Sequence, residues 1–251
     1  MIAFVSEVGG DKWRERIERN KPILGRMWAR DTPRKYFDWE KFTLDNGAYS
    51  SWVNGKQWDG DLFLRRFEKA LEVGTPYFTV IPDIPGEGER SLEHSLRWRE
   101  RFDRECPFYL AIQDGQTIDM IDPHIGKFDG LFLGGTLGFK SQAKTFCDYA
   151  HDNNINFHYA RCSGVRVIDA YEMGADSIDS TTPAQQGELF YRRWERAFTT
   201  GGTDQPQMFS GLERAKAIAT KAINDIHGHI YDESDYMRAY SENEGREGVD
   251  D

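Results

Sequence analysis

Short apolar runs recur along the chain, and most are separated by stretches in which apolar side chains return every three or four positions. The runs predict strands at Ile2–Val8, Pro22–Met27, Phe42–Asn46, Tyr77–Pro82, Phe108–Gln113, Gly130–Gly134, Phe157–Arg161 and Asp176–Asp179. Tyr-Phe-Thr-Val-Ile-Pro and Phe-Tyr-Leu-Ala-Ile-Gln are apolar nearly throughout, as strands buried on both faces are. Between the runs, Leu62, Phe63, Phe67, Ala70 and Leu71 share one helical face. Leu92, Leu96, Trp98 and Phe102 predict a second helix, and Ala143, Phe146, Cys147 and Ala150 a third. Val165–Met173 predicts a short helix closed by Gly174. Eight strands alternating with helices predict an α/β fold, a parallel (β/α)8 TIM barrel. An open doubly wound sheet is second choice, because no G-x-G-x-x-G follows the first strand. Before Pro22 the one helix candidate is Asp11–Arg19, and after the last strand two more helical stretches follow, Leu189–Phe198 and Leu212–Ile226. Residues 1–230 are therefore expected to form one barrel domain with C-terminal helices.

Charge modifies this picture at one end. The 251 residues include 42 acidic and 32 basic side chains, a net charge of −10, of which residues 232–251 carry −6 and the rest −4. Residues 231–251 are expected to be an acidic, flexible tail. With 29% charged and 14% aromatic residues the chain fits a soluble globular enzyme rather than a disordered segment. No apolar run approaches the roughly 18 residues of a membrane span. The start, Met-Ile-Ala-Phe-Val-Ser-Glu, has no basic leader, so a cytoplasmic setting without membrane contact is expected. Cys106, Cys147 and Cys162 offer neither a disulfide framework nor a C-x-x-C spacing, so no metal and no cofactor are expected.

The candidate chemistry lies at the predicted C-terminal strand ends. They read Leu44-Asp45-Asn46-Gly47-Ala48-Tyr49, Ile81-Pro82-Asp83, Ala111-Ile112-Gln113-Asp114-Gly115, Leu133-Gly134-Gly135-Thr136 and Ser177-Ile178-Asp179-Ser180. A carboxylate or amide closing an apolar strand is costly unless it is paired or used. Each has a plainer reading: Asp45-Asn46-Gly47 as a turn, Asp83 as a cap, Gln113-Asp114-Gly115 as a loop start, the glycine pair as a bend. Five together at the end where barrels place their chemistry favour a site. Two carboxylates facing each other across a barrel mouth suit retaining glycosyl transfer, and a further Asp with a Gln suits a planar heterocycle, a sugar or a phosphate ligand.

These motifs, in this order over residues 40–185, resemble the tRNA-guanine transglycosylase superfamily, and within it the DpdA-type DNA-guanine transglycosylases of phages and genomic islands. The resemblance implies a pentosyltransferase that replaces guanine in DNA with a 7-deazaguanine base such as 7-cyano-7-deazaguanine. On that reading Asp179 is the nucleophile that forms the covalent glycosyl intermediate, and Asp45 is the general acid/base. Asp83 and Gln113 bind the base edge, and Gly134 and Gly135 present backbone groups to it. The C-x-C-x-x-C…H zinc cluster of the tRNA enzymes has no counterpart, since no cysteine follows Cys162. The last motif also runs on as Ser-Thr-Thr-Pro, away from the tRNA branch.

A nucleic-acid substrate would need local basic side chains. Arg161 at the mouth and Arg192, Arg193 and Arg196 after the last strand are the candidates, and Arg97–Arg104 form a second cluster with Trp98 and Phe102. Solvated helix faces are the plainer explanation of both clusters. His158 is expected to be a hydrogen-bonded core histidine, and His227 and His229 surface residues. Alternatives are an enzyme acting on tRNA with a partner subunit, and a non-catalytic barrel that binds a nucleobase or nucleic acid. A homodimer or a partner protein is compatible with each.

Overall fold

Eight parallel strands close into a barrel in the computed structural model, each hydrogen-bonded to its sequence neighbours and β8 to β1. The structure describes residues 1–6, 24–29, 40–103, 105–162 and 166–180, with positions 15, 18, 33 and 37 between them. The strands are β1 Ile2–Ser6, β2 Leu24–Trp28, β3 Phe42–Leu44, β4 Thr79–Val80, β5 Phe108–Ile112, β6 Gly130–Leu133, β7 Asn156–Tyr159 and β8 Ser177–Ser180. All eight predicted runs are strands, and the fold is the expected (β/α)8 barrel. Helices follow most of them: α1 Ala48–Val53, α2 Gly60–Val73, α3 Gly88–Arg99, α4 Ile118–Ile121, α5 Ala143–Asp152 and α6 Arg166–Glu172. The expected helix at Asp11–Arg19 falls mostly outside the described residues, and Leu189–Phe198, Leu212–Ile226 and the acidic tail fall wholly outside them. Among the described residues no helix is long and apolar enough to cross a membrane.

The alternation of strand side chains builds two cores. Phe4, Met27, Phe78, Val80, Tyr109 and Ala111 point inward and pack together with Ile2, Tyr77 and Phe132. Phe78 stacks on Tyr109 with ring centroids 4.1 Å apart. A barrel interior must be filled, and here large rings fill it against glycines: a Cβ at Gly130 would sit 2.6 Å from the Tyr109 ring. The outward set, including Ala3, Val5, Trp28, Phe42 and Phe108, packs against Phe63, Phe67, Leu92, Trp98, Phe146 and Ala150 from the helices.

Helix α2 shows where the sequence pattern bends to the fold. Asp59 caps it, its Oδ1 accepting from Leu62 N at 2.8 Å. Phe63, Phe67 and Ala70 are buried as expected, but Leu62 is 46% exposed, while Arg66 is buried in the same helix. The helical stripe therefore includes Arg66 in place of Leu62. The predicted β3 end Asp45-Asn46-Gly47 is a turn that continues into α1, with Gly47 at φ 77 as its N-cap.

Candidate functional site

Inward-facing positions carried past the strands place the polar groups at one end of the barrel. Thr43 is paired with Met27, so Asp45, two residues on, continues the inward face of β3. Asp179 pairs with Phe4 and His158 with Phe132, which sets both inward. Gln113 follows Tyr109 and Ala111 on the inward face of β5. Asp83 lies just past β4. The mouth thus gathers Asp45, Asp83, Gln113, His158 and Asp179.

A hydrogen-bonded chain runs across it. Asn46 Nδ2 donates to the Ile81 carbonyl at 2.9 Å and to Asp83 Oδ1 at 2.7 Å. Gln113 Nε2 donates to Asp83 Oδ2 and to Ser91 Oγ, while its Oε1 accepts from Gly86 N at 2.7 Å. On the far side Asp179 Oδ1 accepts from Arg161 N at 2.8 Å and lies 3.0 Å from His158 Nε2. His158 Nδ1 is 2.8 Å from Ser177 Oγ. Burial lowers the pKa of His158 despite Asp179 beside it. A neutral imidazole with its proton on Nε2 satisfies both contacts, donating to Asp179 and accepting from Ser177.

The electrostatics divide the acids. Burial pushes the Asp45 carboxyl up from 3.8 to about 6, opposed by the Gly47 N–H and reinforced by Asp179. Burial pushes Asp83 to about 7, opposed by Asn46 and reinforced by Asp45. The two half-buried acids therefore sit well above the ordinary carboxylate range, in a mouth they share with Asp179.

Sequence reasoning missed several parts of this site. Asn46 passed for a turn residue, yet its side chain ties Asp83 to the Ile81 carbonyl and caps Ala48 N at 2.8 Å. His158 is the hydrogen-bonded core histidine expected, and its partner is Asp179. Lys140 is buried behind the mouth, donating to the Ala160 carbonyl and lying 4.8 Å from the Tyr159 ring centre. Burial lowers its pKa to about 7, with Arg161 acting in the same direction. Its one sequence signal is a lysine directly after Phe139 in the approach to α5.

The remaining expected site residues are placed as follows. The Gly134 amide is taken by the Ile112 carbonyl at 2.8 Å, and the Gly135 carbonyl by Arg161 at 2.7 Å. The amide and hydroxyl of Thr136 are both held by Asp114. The glycine pair is therefore a tight bend around Asp114, and a Cβ at Gly135 would meet Asp114 Oδ2 at 2.6 Å. Arg192, Arg193 and Arg196 lie outside the described residues. At the opposite end of the barrel a shallow cavity of about 380 Å³ is lined by Tyr77, Tyr171 and Asp176. The Asp176 carboxylate there is committed to Phe157 N at 2.7 Å and His151 at 3.0 Å. Among the described residues no group of three or more His, Cys, Asp or Glu is arranged to hold a metal ion.

Fold and site together define a (β/α)8 barrel with an acidic, hydrogen-bonded mouth. No protein-family model and no curated protein matches the chain. Among solved structures it is similar to a chain from Pseudomonas aeruginosa provisionally named a dihydrodipicolinate synthetase, at 12% identity and a TM-score of 0.52. That match covers 82% of this chain and 78% of the other. It is also similar to the dihydrodipicolinate synthase of Oceanobacillus iheyensis, at 14% identity and a TM-score of 0.45. There it covers 65% of this chain and spans only about half, 51%, of the Oceanobacillus chain.

The Pseudomonas neighbour overturns the resemblance to the transglycosylases. Asp, Gln and Gly-Gly at strand ends are what a (β/α)8 barrel of many chemistries presents, so short motifs in barrel order do not single out one family. The guanine exchange in DNA, the pentosyltransferase class, the phage setting, and the DNA, tRNA and 7-deazaguanine partners fall with it. So do the tRNA enzyme with a partner subunit, the non-catalytic nucleobase or nucleic-acid barrel, and the dimer or partner protein inferred alongside.

Proposed function

We propose that this chain is a small-molecule enzyme of the aldolase–lyase type, which moves protons at the carbon beside a carbonyl group. One observation carries the reading: Asp45 and Asp83 share the barrel mouth and are both displaced to near neutrality, at about 6 and about 7. An acid and a base that trade a proton at cellular pH are what carbonyl enolisation requires, and efficiency is greatest when their pKa lies near the working pH. In this scheme Asp45 takes the proton from carbon, Asp83 delivers one to the carbonyl oxygen, and Asp179 is held by His158 and the Arg161 amide. Asn46 and Gln113 fix the direction of Asp83. The name of the Pseudomonas neighbour supports small-molecule chemistry of this kind in a barrel of this shape.

The test is exchange of solvent deuterium into pyruvate and a series of longer 2-oxo acids, followed by proton NMR. Enzyme-dependent exchange that falls at least 100-fold in Asp45→Asn is the expected result. Exchange at the uncatalysed rate with every compound, or exchange untouched by that substitution, contradicts the proposal.

A further inference from the structure

We infer that Arg161 is the residue through which this mouth selects a substrate bearing a single carboxylate. The inference rests on the acid–base reading of the mouth and adds what that reading leaves open, namely what brings a substrate to three acids. Arg161 holds φ 48, in the left-handed region, which a residue with a Cβ adopts only at a cost. The other described non-glycine residue with positive φ is Asn154, a type that tolerates this region, in an exposed turn. At Arg161 the same backbone would be easier for glycine, so the arginine side chain has work to do.

That conformation aims the Arg161 amide at Asp179 Oδ1, 2.8 Å away. The side chain then spans the rim. Its Nη2 donates to the Gly135 carbonyl at 2.7 Å, and the guanidinium lies 4.2 Å from the centre of the Tyr49 ring. Both contacts leave the group exposed to solvent, and it is near enough to Asp83 to favour that carboxylate's ionised form. A planar guanidinium seated over an aromatic ring, with N–H donors beyond the one bond to Gly135, is suited to bidentate capture of a carboxylate.

Charge separates carboxylate from phosphate. Asp45, Asp83 and Asp179 face the same space, so a dianion meets more repulsion than one guanidinium relieves. The loop that would cradle a phosphate has its amides occupied: the Gly134 N–H by Ile112 and the Thr136 N–H by Asp114. A monoanion bound at Arg161 is compensated one to one, and its neighbouring carbonyl lies toward the acids.

Calorimetric binding of pyruvate, methyl pyruvate and inorganic phosphate to the full chain tests this, with Arg161→Gly and Arg161→Lys beside the wild type. Pyruvate is expected to bind at least tenfold tighter than its neutral ester or phosphate. Arg161→Gly is expected to abolish that preference while raising Tm, because glycine relieves the left-handed backbone. Arg161→Lys is expected to retain a reduced preference through charge without the fork. A preference unchanged in Arg161→Gly, phosphate bound as tightly as pyruvate, or no carboxylate preference in the wild type each overturns the inference. Failure of the underlying reading looks different: pyruvate then binds selectively through Arg161, but no deuterium enters it.

Discussion

Two groups of buried charges lie in one barrel and are treated in opposite ways. On the outer face of β2, Arg26 and the nearby Glu40 form an ion pair at 2.7 Å, both side chains fully buried. At the mouth, Asp45, Asp83 and Asp179 are gathered as like charges, and two of them are pushed toward neutrality. A buried pair meets its desolvation cost with its own partner and is chemically silent. A buried cluster of one sign cannot, so it retains protons to higher pH than ordinary carboxylates, which is a liability for stability and an asset for proton transfer. The comparison locates function without reference to any relative: a compensated buried charge belongs to the architecture, and an uncompensated one to the site.

The largest expected effect comes from breaking the compensated pair. Glu40→Ala removes the carboxylate paired with the buried Arg26 guanidinium and is expected to cost about 3–5 kcal/mol in denaturant unfolding. Replacing both residues by Leu and Met is expected to recover most of that loss, which a pair needed for chemistry would not allow.

The mouth is expected to behave in reverse. Because the folded pKa values of Asp45 and Asp83 lie above the ordinary 3.8, the unfolded chain binds fewer protons between about pH 4 and 7. Stability therefore falls as pH rises through that window and stays lower above it. Asp45→Asn is expected to remove the part due to Asp45, gaining on the order of 1–3 kcal/mol at pH 7.5 in the same denaturant assay. It keeps the carbonyl that accepts from Gly47 and loses the proton that the chemistry uses.

His158→Leu gives a smaller change of mixed kind. It strips the Nε2 contact from Asp179 and leaves Ser177 without its ring partner, at an expected cost of about 1–3 kcal/mol. Turnover is expected to fall together with a displaced acidic limb of the pH–rate profile, which a purely structural loss would leave in place.

Much of this was legible in the sequence, for a physical reason. Strands buried on both faces are apolar at successive positions, so the runs around Phe108–Ile112 and Gly130–Leu133 stand out without any partner in view. Of the polar residues that end such runs, Asp45, Gln113 and Asp179 converge at one mouth because alternation carries them inward, and Asp83 joins them past Pro82, where Asn46 and Gln113 hold it. What stayed hidden depends on long-range pairing. Glu40 and Arg26 look like surface charges until the barrel closes over them. Asn46 looks like a turn residue until Asp83 arrives from 37 positions away. Arg161 stands out in the sequence only as a basic residue at the mouth, since its left-handed backbone and its reach to Tyr49 and Gly135 exist only in the fold. The family resemblance failed on the same ground: its motifs are the places where barrels of any chemistry put polar groups.

The measurement that tests the account most directly is a carboxyl carbon-13 NMR titration of protein labelled at aspartate, in the wild type and in Asp45→Asn. Two carboxyl resonances with midpoints near pH 6 and 7 are expected. The former should be absent from Asp45→Asn, and the latter shifted downward once the neighbouring acid is gone. If every aspartate titrates below pH 5, the mouth is an ordinary set of solvated carboxylates and the account of its chemistry is wrong.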